Sequence, residues 1–282
     1  MIRVAIIGIV GNSVFLPVER FHEGGETIVA KDMHSEWGGK GYNQAIAAAR
    51  HGASVSFLAA VGKGDSAAIR LDAAKRGIDV HLVEHEEMGS PYAVIMTEAS
   101  GANRVTVYHG ARLAASDVDA FASEIARADV LLLSNEVAEE VNLAALRVAK
   151  EHDVRVILNP APARPLCKEM LEGVSLFTPN EHETEGLEQH KNVIVTLGAR
   201  GCFLRETNER VPTADAGKVL DTTGAGDTFN GVLAVALAEG NLQKRACELA
   251  NAAAAIKVTG KFVADAIPKR TQTLEVWEKQ YG

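Results

Sequence analysis

The chain is organised around the segment Asp221-Thr222-Thr223-Gly224-Ala225-Gly226-Asp227-Thr228-Phe229-Asn230-Gly231. A short β-prone run, 218–220, precedes this segment, and the apolar run 232–238 that follows it predicts a helix. A glycine-rich turn at the start of a helix leaves main-chain amides unpaired, at the positive end of the helix dipole. Such a turn favours the binding of phosphate.

Asp227 is the residue of this turn that anion binding alone does not explain, because a carboxylate repels a bound phosphate. A carboxylate is useful there when it accepts the proton of a hydroxyl group next to a phosphoryl group. The pattern therefore indicates phosphoryl transfer to an alcohol. The simpler alternative is a strand-to-helix turn in which Asp or Thr caps the helix.

Two better-known glycine motifs are excluded by spacing. A dinucleotide fingerprint requires Gly five residues after its first Gly, whereas Gly224 is followed at that distance by Phe229. A P-loop requires Gly-Lys-Ser/Thr, and neither Gly-Lys-Gly, at 39–41 nor at 62–64, supplies the hydroxyl group.

Composition is that of an ordinary globular protein: 282 residues, 47% hydrophobic and 23% charged, with a net charge of −8. No basic stripe is present, so nucleic acid is not an expected partner. Three well-separated cysteines and no Cys-x-x-Cys or His-Glu-x-x-His favour a reducing, cytoplasmic setting without a zinc site. The apolar run 4–10 is too short to span a membrane and is predicted to be the first strand.

Strand and helix patterns alternate along most of the chain, which predicts a doubly wound, mainly parallel α/β sheet flanked by helices. We expect a single domain over 1–282. Short strands at 14–21 and 26–34 and a hairpin formed by 92–97 and 104–108 are predicted to lie outside the main sheet. They would form a small discontinuous β lid from about 12–36 and 90–109.

The central segment, together with Gly38-Gly39-Lys40-Gly41-Tyr42-Asn43-Gln44, resembles the two signatures of the ribokinase family (phosphofructokinase-B type carbohydrate kinases). Four more blocks resemble landmarks of that family and follow in the same order along nearly the whole chain. They are Gly25-Glu26-Thr27, Asn159-Pro160-Ala161-Pro162-Ala163-Arg164, Thr178-Pro179-Asn180-Glu181-His182-Glu183 and Thr196-Leu197-Gly198.

The resemblance implies ATP as phosphoryl donor and Mg²⁺ as its counter-ion. Asp227 corresponds to the family's catalytic base, and the amides of Gly224, Ala225, Gly226 and Asp227 correspond to its anion hole. Asn180 and Glu183 match an Asn-x-x-Glu motif that holds Mg²⁺ through water, although the same spacing fits a capping box. Thr196, Gly198 and Asn251 correspond to the nucleotide-binding edge; an ordinary polar helix position is the alternative for Asn251.

The resemblance also implies an acceptor site for a small sugar or related polyol. Its residues would be Ser13, Gly38, Gly39, Lys40, Asn43 and Glu136. The glycines let the main chain approach a polyol, and Lys40 and Asn43 offer donors to hydroxyl groups. For Glu136, a solvated position after a strand is the alternative. The lid would close over the sugar, and its exposed strands predict a homodimer that pairs through the lid.

Three departures from the family pattern stand out. Gly11 and Ser13 occupy the positions of an Asn and an Asp that grip ribose, which weakens the case for ribose itself. The interval between Asn180 and Thr196 is too short for an additional helix. Asp221 matches part of a K⁺ site, but the segment 259–266 lacks that site's serine hydroxyl.

These inferences predict an ATP-dependent kinase that phosphorylates a primary hydroxyl of a small sugar. A nucleoside kinase is the first alternative, with Phe15, Trp37, Tyr42 and Tyr92 around a base. A phosphosugar kinase that uses Lys40 and Arg112 on the substrate phosphate is the second. A sugar- or nucleotide-sensing protein without catalysis is the third, and an intact Asp227 argues against it.

Overall fold

The computed structural model describes residues 1–98 and 102–282. Its helices are α1 Lys40–Arg50, α2 Lys63–Arg76, α3 Ala122–Ala126, α4 Glu139–Glu151, α5 Lys168–Gly173, α6 Ala225–Ala238, α7 Gln243–Lys257 and α8 Arg270–Tyr281. Its strands are β1 Arg3–Ile7, β2 Gly11–Pro17, β3 His34–Gly38, β4 Ser54–Gly62, β5 Ile78–His85, β6 Tyr92–Thr97, β7 Asn103–Tyr108, β8 Val130–Ser134, β9 Arg155–Asn159, β10 Leu176–Phe177, β11 Ile194–Thr196, β12 Cys202–Leu204 and β13 Glu209–Val211.

Six strands form the main sheet in the order β10-β9-β8-β1-β4-β5, and every pair in it is parallel. Alternate residues of β1 enter opposite cores: Ile6 packs with the helices α1, α6 and α7, whereas Ile7 packs with α3 and α4. A strand covered on both faces reads as a continuous apolar run, which explains the sequence of β1. The predicted doubly wound α/β fold is confirmed.

The strand order reverses between β1 and β8. The chain runs from β1 to β4 and β5 on one side of the sheet, then returns to β8 on the other side of β1. In open parallel sheets the ligand-binding crevice lies at such a reversal, beyond the carboxyl ends of the strands. The residues that follow β1 and β8 are therefore expected to line a site.

A separate four-stranded sheet has the order β3-β2-β6-β7. It pairs β2 with β6 in parallel and the other neighbours antiparallel, so the predicted hairpin of β6 and β7 is confirmed. Residues 99–101 of the predicted hairpin loop lie outside the described residues. β3 and β7 form the two edges of this sheet. Whether it moves as a lid stays a prediction.

The predicted strand at 26–34 is wrong. The strand in this region is His34–Gly38, and residues 26–33 have no regular structure. Both sides of β2 are already paired, with β3 and β6, so the segment has no free edge of β2 to join. Val29 and Met33 are 88% and 68% exposed, so the apolar residues of this segment are not buried as they would be on one face of a strand.

The apolar run 193–195 predicts a further core strand of the main sheet, but the strand formed there, β11, belongs to a different sheet. β11 pairs antiparallel with β12 and β12 with β13, while single bridges join Phe177 to Val193 and Asn180 to Thr196. The segment 181–193 contains turns and no helix, in line with its short length. The sequence patterns did not predict α5, α8, β12 or β13, which are short or predominantly polar.

Smaller boundaries also differ from the predictions. The sequence pattern predicts one helix over 116–126, whereas the structure has a 3₁₀ turn over Ala115–Phe121 followed by α3. The pattern also predicts a helix from Gln243 to Thr259, and α7 ends at Lys257. No helix among the described residues has the length and apolar character needed to span a membrane.

Candidate active site

The turn before α6 adopts a conformation that requires glycine. Gly224 has a φ of 74° and is the N-cap residue of α6. A Cβ atom on Gly224 would lie 2.4 Å from Cγ1 of Val263, so even alanine would not fit without a shift. Gly226 differs, because a Cβ atom there meets nothing within 4 Å. The turn is thus tight on the side of Val263 and open at Gly226.

Three of the four main-chain amides predicted to form an anion hole are available to a ligand. The amide of Ala225 donates to the carbonyl of Thr222 over 3.2 Å, so its predicted place in an anion hole is partly taken by the turn itself. Within 1–98 and 102–282, the amides of Gly224, Gly226 and Asp227 have no hydrogen-bond partner, and the last two lie in the first turn of α6. The first amides of a helix lack intrahelical acceptors and carry the positive end of its dipole. The geometry therefore favours an anion at Gly226 and Asp227.

The carboxylate of Asp227 is buried and is held by α1. Asn43, on α1, donates from Nδ2 to Oδ2 of Asp227 over 2.9 Å. The other amide atom, Oδ1 of Asn43, is buried without a hydrogen-bond partner among the described residues. An unpaired buried acceptor beside a carboxylate is expected to be satisfied by a ligand or by water. A sugar hydroxyl is a group of that kind.

Lys40 and Glu136 complete a charged cluster around Asp227. Lys40 is the first residue of α1, and the Asp227 carboxylate raises its pKa, with Glu136 and Glu183 acting in the same sense against burial. Burial raises the pKa of Glu136 to about 7, and the charge of Asp227 adds to this while Lys40 opposes it. The amide of Gly41 donates to Oε2 of Glu136 over 3.3 Å. Glu136 therefore titrates near neutral pH.

The predicted acceptor residues near α1 come together at its start. Gly39 is the N-cap of α1 with a φ of 111°, and a Cβ atom there would lie 2.5 Å from the carbonyl oxygen of Ile9. A Cβ atom on Gly38 would lie 2.7 Å from Oγ of Ser13 and 4.0 Å from Oδ1 of Asn43. The loop thus brings the main chain close to β1 and β2, next to the unpaired amide oxygen of Asn43.

A cavity of about 800 Å³ extends away from Asp227. It is lined by all of the residues that the sequence assigned to phosphate and nucleotide, and by Lys40. The predicted residues in its wall are Lys40, Asn180, Glu183, Thr196, Gly198, Gly224, Ala225, Gly226, Asp227 and Asn251. A second cavity, of about 360 Å³, is lined by Glu136 together with Gly8, Arg112 and Arg164.

Asn180 and Glu183 are hydrogen-bonded to each other. The main-chain amide of Asn180 donates to Oε2 of Glu183 over 2.9 Å, and its Nδ2 donates to Oε1 over 2.7 Å. This is the capping-type arrangement, although it closes a turn and no helix follows. Both carboxylate oxygens keep a lone pair, so the pair can still accept hydrogen bonds from metal-bound water. No cluster of three or more His, Cys, Asp or Glu that would enclose a metal exists in the described part of the chain.

The far end of the large cavity is built from main chain and small residues. Thr196 donates from its amide to the carbonyl of Pro179 over 2.8 Å, and Gly198 has a φ of 57°. Asn251 lines the cavity, but its Nδ2 donates to the carbonyls of Val211 and Pro212 over 3.2 and 3.1 Å. Its amide nitrogen therefore anchors the strand end β13.

Asp221 lies beneath the turn and outside both cavity walls. Its Oδ1 accepts from the amide of Thr223 over 2.9 Å and its Oδ2 from the amide of Phe262 over 3.0 Å. Its carbonyl oxygen accepts from Nζ of Lys257 over 2.9 Å. The sequence analysis did not identify Lys257. The available signal was a lysine at the end of the alanine-rich run 252–256, where burial is otherwise expected.

The aromatic residues proposed to accommodate a nucleoside base make other contacts, and Trp37 packs against the core beside α1 and α6. Tyr42 is fully buried and donates from its hydroxyl to Asp72 on α2 over 2.6 Å. Phe15 packs against Phe262, and Tyr92 is 42% exposed on the four-stranded sheet. Asn12, which lies between Gly11 and Ser13 and could replace the missing ribose contact, accepts a hydrogen bond from Ser35 through Oδ1. None of these contacts supports a base-binding pocket.

Comparisons with known proteins agree with this geometry. The family model described as pfkB family carbohydrate kinase matches residues 1–270. The chain is 36% identical to a ribokinase of Haemophilus influenzae, with 97% of each chain covered, and 33% identical to a ribokinase of Bacillus subtilis, with 98% and 99% covered. The structure of an Arabidopsis thaliana ribokinase complexed with ribose and ATP superposes with a TM-score of 0.86 at 25% identity, covering 99% of each chain.

Proposed function

The chain belongs to the pfkB family of carbohydrate kinases, and from this premise we propose that it transfers the γ-phosphoryl group of ATP to a primary hydroxyl of a small sugar, with Asp227 as base. The observation that carries the proposal is the Asn43–Asp227 pair beside the unpaired amides of Gly226 and Asp227. The Asn43–Asp227 pair would bind the hydroxyl and accept its proton, and the amides of Gly226 and Asp227 would bind the transferring phosphoryl group.

Asp227 accepts the hydroxyl proton during the transfer. Asn43 holds Oδ2, which orients the carboxylate. A carboxylate is a weak base near neutral pH. A weak base suffices because the transition state of phosphoryl transfer is loose and the proton leaves late.

The phosphoryl group is stabilised by positioned charge. The amides of Gly226 and Asp227 face the transferring group, and the ammonium of Lys40 lies close enough to Asp227 for that carboxylate to raise its pKa. Donors that are fixed before the reaction need no reorganisation in the transition state, and removing one elsewhere costs about 10²–10³ in kcat. In-line geometry then follows from binding the hydroxyl at Asn43 and the phosphate at α6.

The residues of the large cavity also suit Mg²⁺. Asn180 and Glu183 form a fixed polar pair in the wall that Lys40 and Asp227 share, and the Glu183 charge contributes to the raised pKa of Lys40. Mg²⁺ keeps several waters and binds one or two carboxylates plus substrate phosphates, so this sparse donor set fits it. When bound with ATP, it would neutralise charge on the phosphate oxygens.

The acceptor is a small sugar held by groups at the start of α1. Oδ1 of Asn43 has no partner among residues 1–98 and 102–282, and Gly38 and Gly39 bring main chain close to it. Glu136 and Lys40 offer an acceptor and a donor. Ribose is the first sugar to test, because the similar proteins from Haemophilus influenzae and Bacillus subtilis are named ribokinases. Ser13, which occupies the place of a charged ribose contact, predicts weaker binding of ribose than a carboxylate would provide.

The four-stranded sheet is proposed to close over the sugar and to pair with a second copy in a cytoplasmic homodimer. Its β2 contributes Ser13 to the acceptor side of the site. Its edge strand β7 exposes Val105, Val107 and Tyr108, each more than half exposed. Edge strands with exposed apolar side chains are prone to pair with another chain.

A phosphosugar kinase is the second candidate, and one observation favours it. Arg164 lines the cavity of about 360 Å³ with Arg112 and Glu136, and its Nε and Nη2 are buried without a partner among the described residues. Unpaired guanidinium donors suit a phosphate. In this reading the acceptor's own phosphate would bind at Arg164 while its hydroxyl reaches Asp227.

One experiment decides among these functions. The purified protein is incubated with ATP and Mg²⁺ and a panel of pentoses, hexoses, sugar phosphates and nucleosides, and ADP release is measured. We expect a free sugar to give the highest kcat/KM, and Asp227→Asn to lower kcat by at least about 10²-fold while ATP binding persists. Activity of Asp227→Asn within about tenfold of wild type would show that Asp227 is not the base.

A further inference from the structure

Lys257 is a buried charge that the phosphoryl transfer described above does not use. It is the last residue of α7, its side chain has no solvent exposure, and its Nζ donates to the carbonyl oxygen of Asp221 over 2.9 Å. A buried ammonium is costly unless acidic groups compensate it. Acidic groups near Nζ are therefore expected, and the buried ammonium is expected to have a function.

Acidic groups surround this lysine. Burial lowers the pKa of Lys257, while Asp221, Glu36 and Asp227 act in the opposite direction. Glu36 lies on β3 and accepts from the amides of Val263 and Ala264 over 2.8 and 3.2 Å. The C-terminal end of α7 adds the negative end of its dipole. These groups offset part of the lowering of the Lys257 pKa that burial causes.

The segment after Lys257 packs against the phosphate-binding turn. The amides of Leu220 and Asp221 donate to the carbonyl of Val258, and the amide of Phe262 donates to Oδ2 of Asp221. Val263 packs against Gly224, where it excludes any side chain. Lys257 is thus fixed to the first residue of the turn whose other end carries the unpaired amides of Gly226 and Asp227.

We propose that Lys257 is a positioning residue whose ammonium group holds the 221–227 turn and places a fixed positive charge behind the phosphate site, so that the enzyme needs no monovalent cation. The inference rests on the proposed kinase function. An ammonium group and a dehydrated K⁺ ion can both be bound by carbonyl oxygens. Here the carbonyl of Asp221 already binds Nζ, and both oxygens of its carboxylate already accept amides.

Wild-type enzyme gives the first test. Its kcat and its KM for ATP are measured in choline chloride and in potassium chloride at equal ionic strength. We expect values that agree within about twofold. Stimulation of kcat by K⁺ of about tenfold or more would overturn the proposal. The ATP-induced rise in melting temperature is measured in the same two salts, because that readout does not depend on the acceptor sugar.

Substitution gives the second test. Lys257→Met removes the charge with little change in volume, and we expect kcat/KM for ATP to fall by at least about tenfold. In Lys257→Ala, added K⁺ or ammonium should restore part of the activity, which a purely structural role of the side chain would not produce. Lys261→Met, which removes an exposed lysine from the neighbouring loop, serves as the matched control and should retain wild-type values.

Each result bears on one of the two proposals. A Lys257→Met variant with wild-type kcat/KM overturns the role of Lys257 and leaves the kinase assignment intact. If Lys257→Met does not fold, the wild-type salt comparison and Lys257→Arg decide, since Arg keeps the charge and should keep more activity than any neutral variant that folds. Absence of turnover on every acceptor, with cation-independent ATP binding, would overturn the function and support the role of Lys257.

Discussion

Asn43 and Asp227 are 184 residues apart in the chain and form a buried hydrogen bond of 2.9 Å between α1 and α6. The bond uses Nδ2 of Asn43, and Oδ1, beside the carboxylate, has no partner in the described part of the chain. One side chain therefore orients the proposed base and presents an acceptor to the incoming hydroxyl. Five predictions concern this contact and its neighbours.

Asn43→Ala should lower kcat by about a hundredfold, because the carboxylate of Asp227 loses the bond that orients it toward the hydroxyl. The KM for the sugar should also rise, since Oδ1 is lost as an acceptor. Steady-state kinetics with the best acceptor checks both values. Asn241→Ala is the control: Asn241 caps the other end of α6 by donating to Ala236, so the substitution should lower stability and leave kcat unchanged. Unchanged kinetics of Asn43→Ala would contradict the proposed role.

The pH dependence of kcat/KM for the sugar should report Glu136. Its pKa is raised to about 7 by burial, with the Asp227 charge adding to the shift. The ionised carboxylate accepts hydroxyl hydrogen bonds more strongly than the acid, so kcat/KM should rise as the pH increases through about 7. Glu136→Gln should remove this step from the profile. A step of the same size in the Gln variant would assign it to another group.

The contribution of Glu136 to the free energy of unfolding should fall as the pH rises, whereas its contribution to kcat/KM should increase. The folded pKa, about 7, exceeds the ordinary value of 4.5, so the native state binds the proton more tightly than the unfolded chain. The contribution to the free energy of unfolding is full below 4.5 and is lost as the pH rises through about 7. Chemical denaturation of wild type and Glu136→Gln across this range measures it. The difference in free energy of unfolding between wild type and Glu136→Gln should change between pH 4.5 and about 7 and should be constant below pH 4.5.

Gly224→Ala should destabilise the protein by about 1–3 kcal/mol, because a φ of 74° is strained for alanine and the added Cβ meets Val263. ATP binding should weaken as the turn shifts. Gly226→Ala is the matched comparison, since its Cβ enters open space and should leave the free energy of unfolding close to wild type. Urea denaturation of both variants provides the measurement, and equal losses would show that the turn is not constrained by Val263.

Glu36→Gln should weaken the link between the four-stranded sheet and the segment beneath the turn. The carboxylate accepts from Val263 and Ala264, and the amide loses charge assistance in both bonds. We expect a loss of about 1–3 kcal/mol in the free energy of unfolding and a higher KM for ATP. The control is Glu19→Gln, an exposed position just beyond β2. Wild-type KM and stability in Glu36→Gln would exclude this link.

Much of the fold was predictable because it rests on local patterns. The apolar runs of β1 and β8 indicate strands buried on both faces, and the alanine-rich runs of α6 and α7 indicate helices. The turn from Gly224 to Asp227 was predictable for the same reason, since a helix start and its unpaired amides depend on residues within one turn. The error at 26–34 shows the limit: the alternation was suited to a strand, but the edges of β2 were already occupied.

The sequence by itself determined the parallel α/β class of the main sheet, its longer helices, the phosphate-binding turn and the presence of Asp227 within it. Only the tertiary structure decided that Asn43 would hold Asp227, that Glu36 would bind Val263 and Ala264, and that Lys257 would lie under Asp221. The physical reason is the distance along the chain over which each kind of interaction acts. Propensity and periodicity act between residues a few positions apart, whereas these contacts join α1, β3 and α7 to distant segments and exist only after the helices have packed on the sheet.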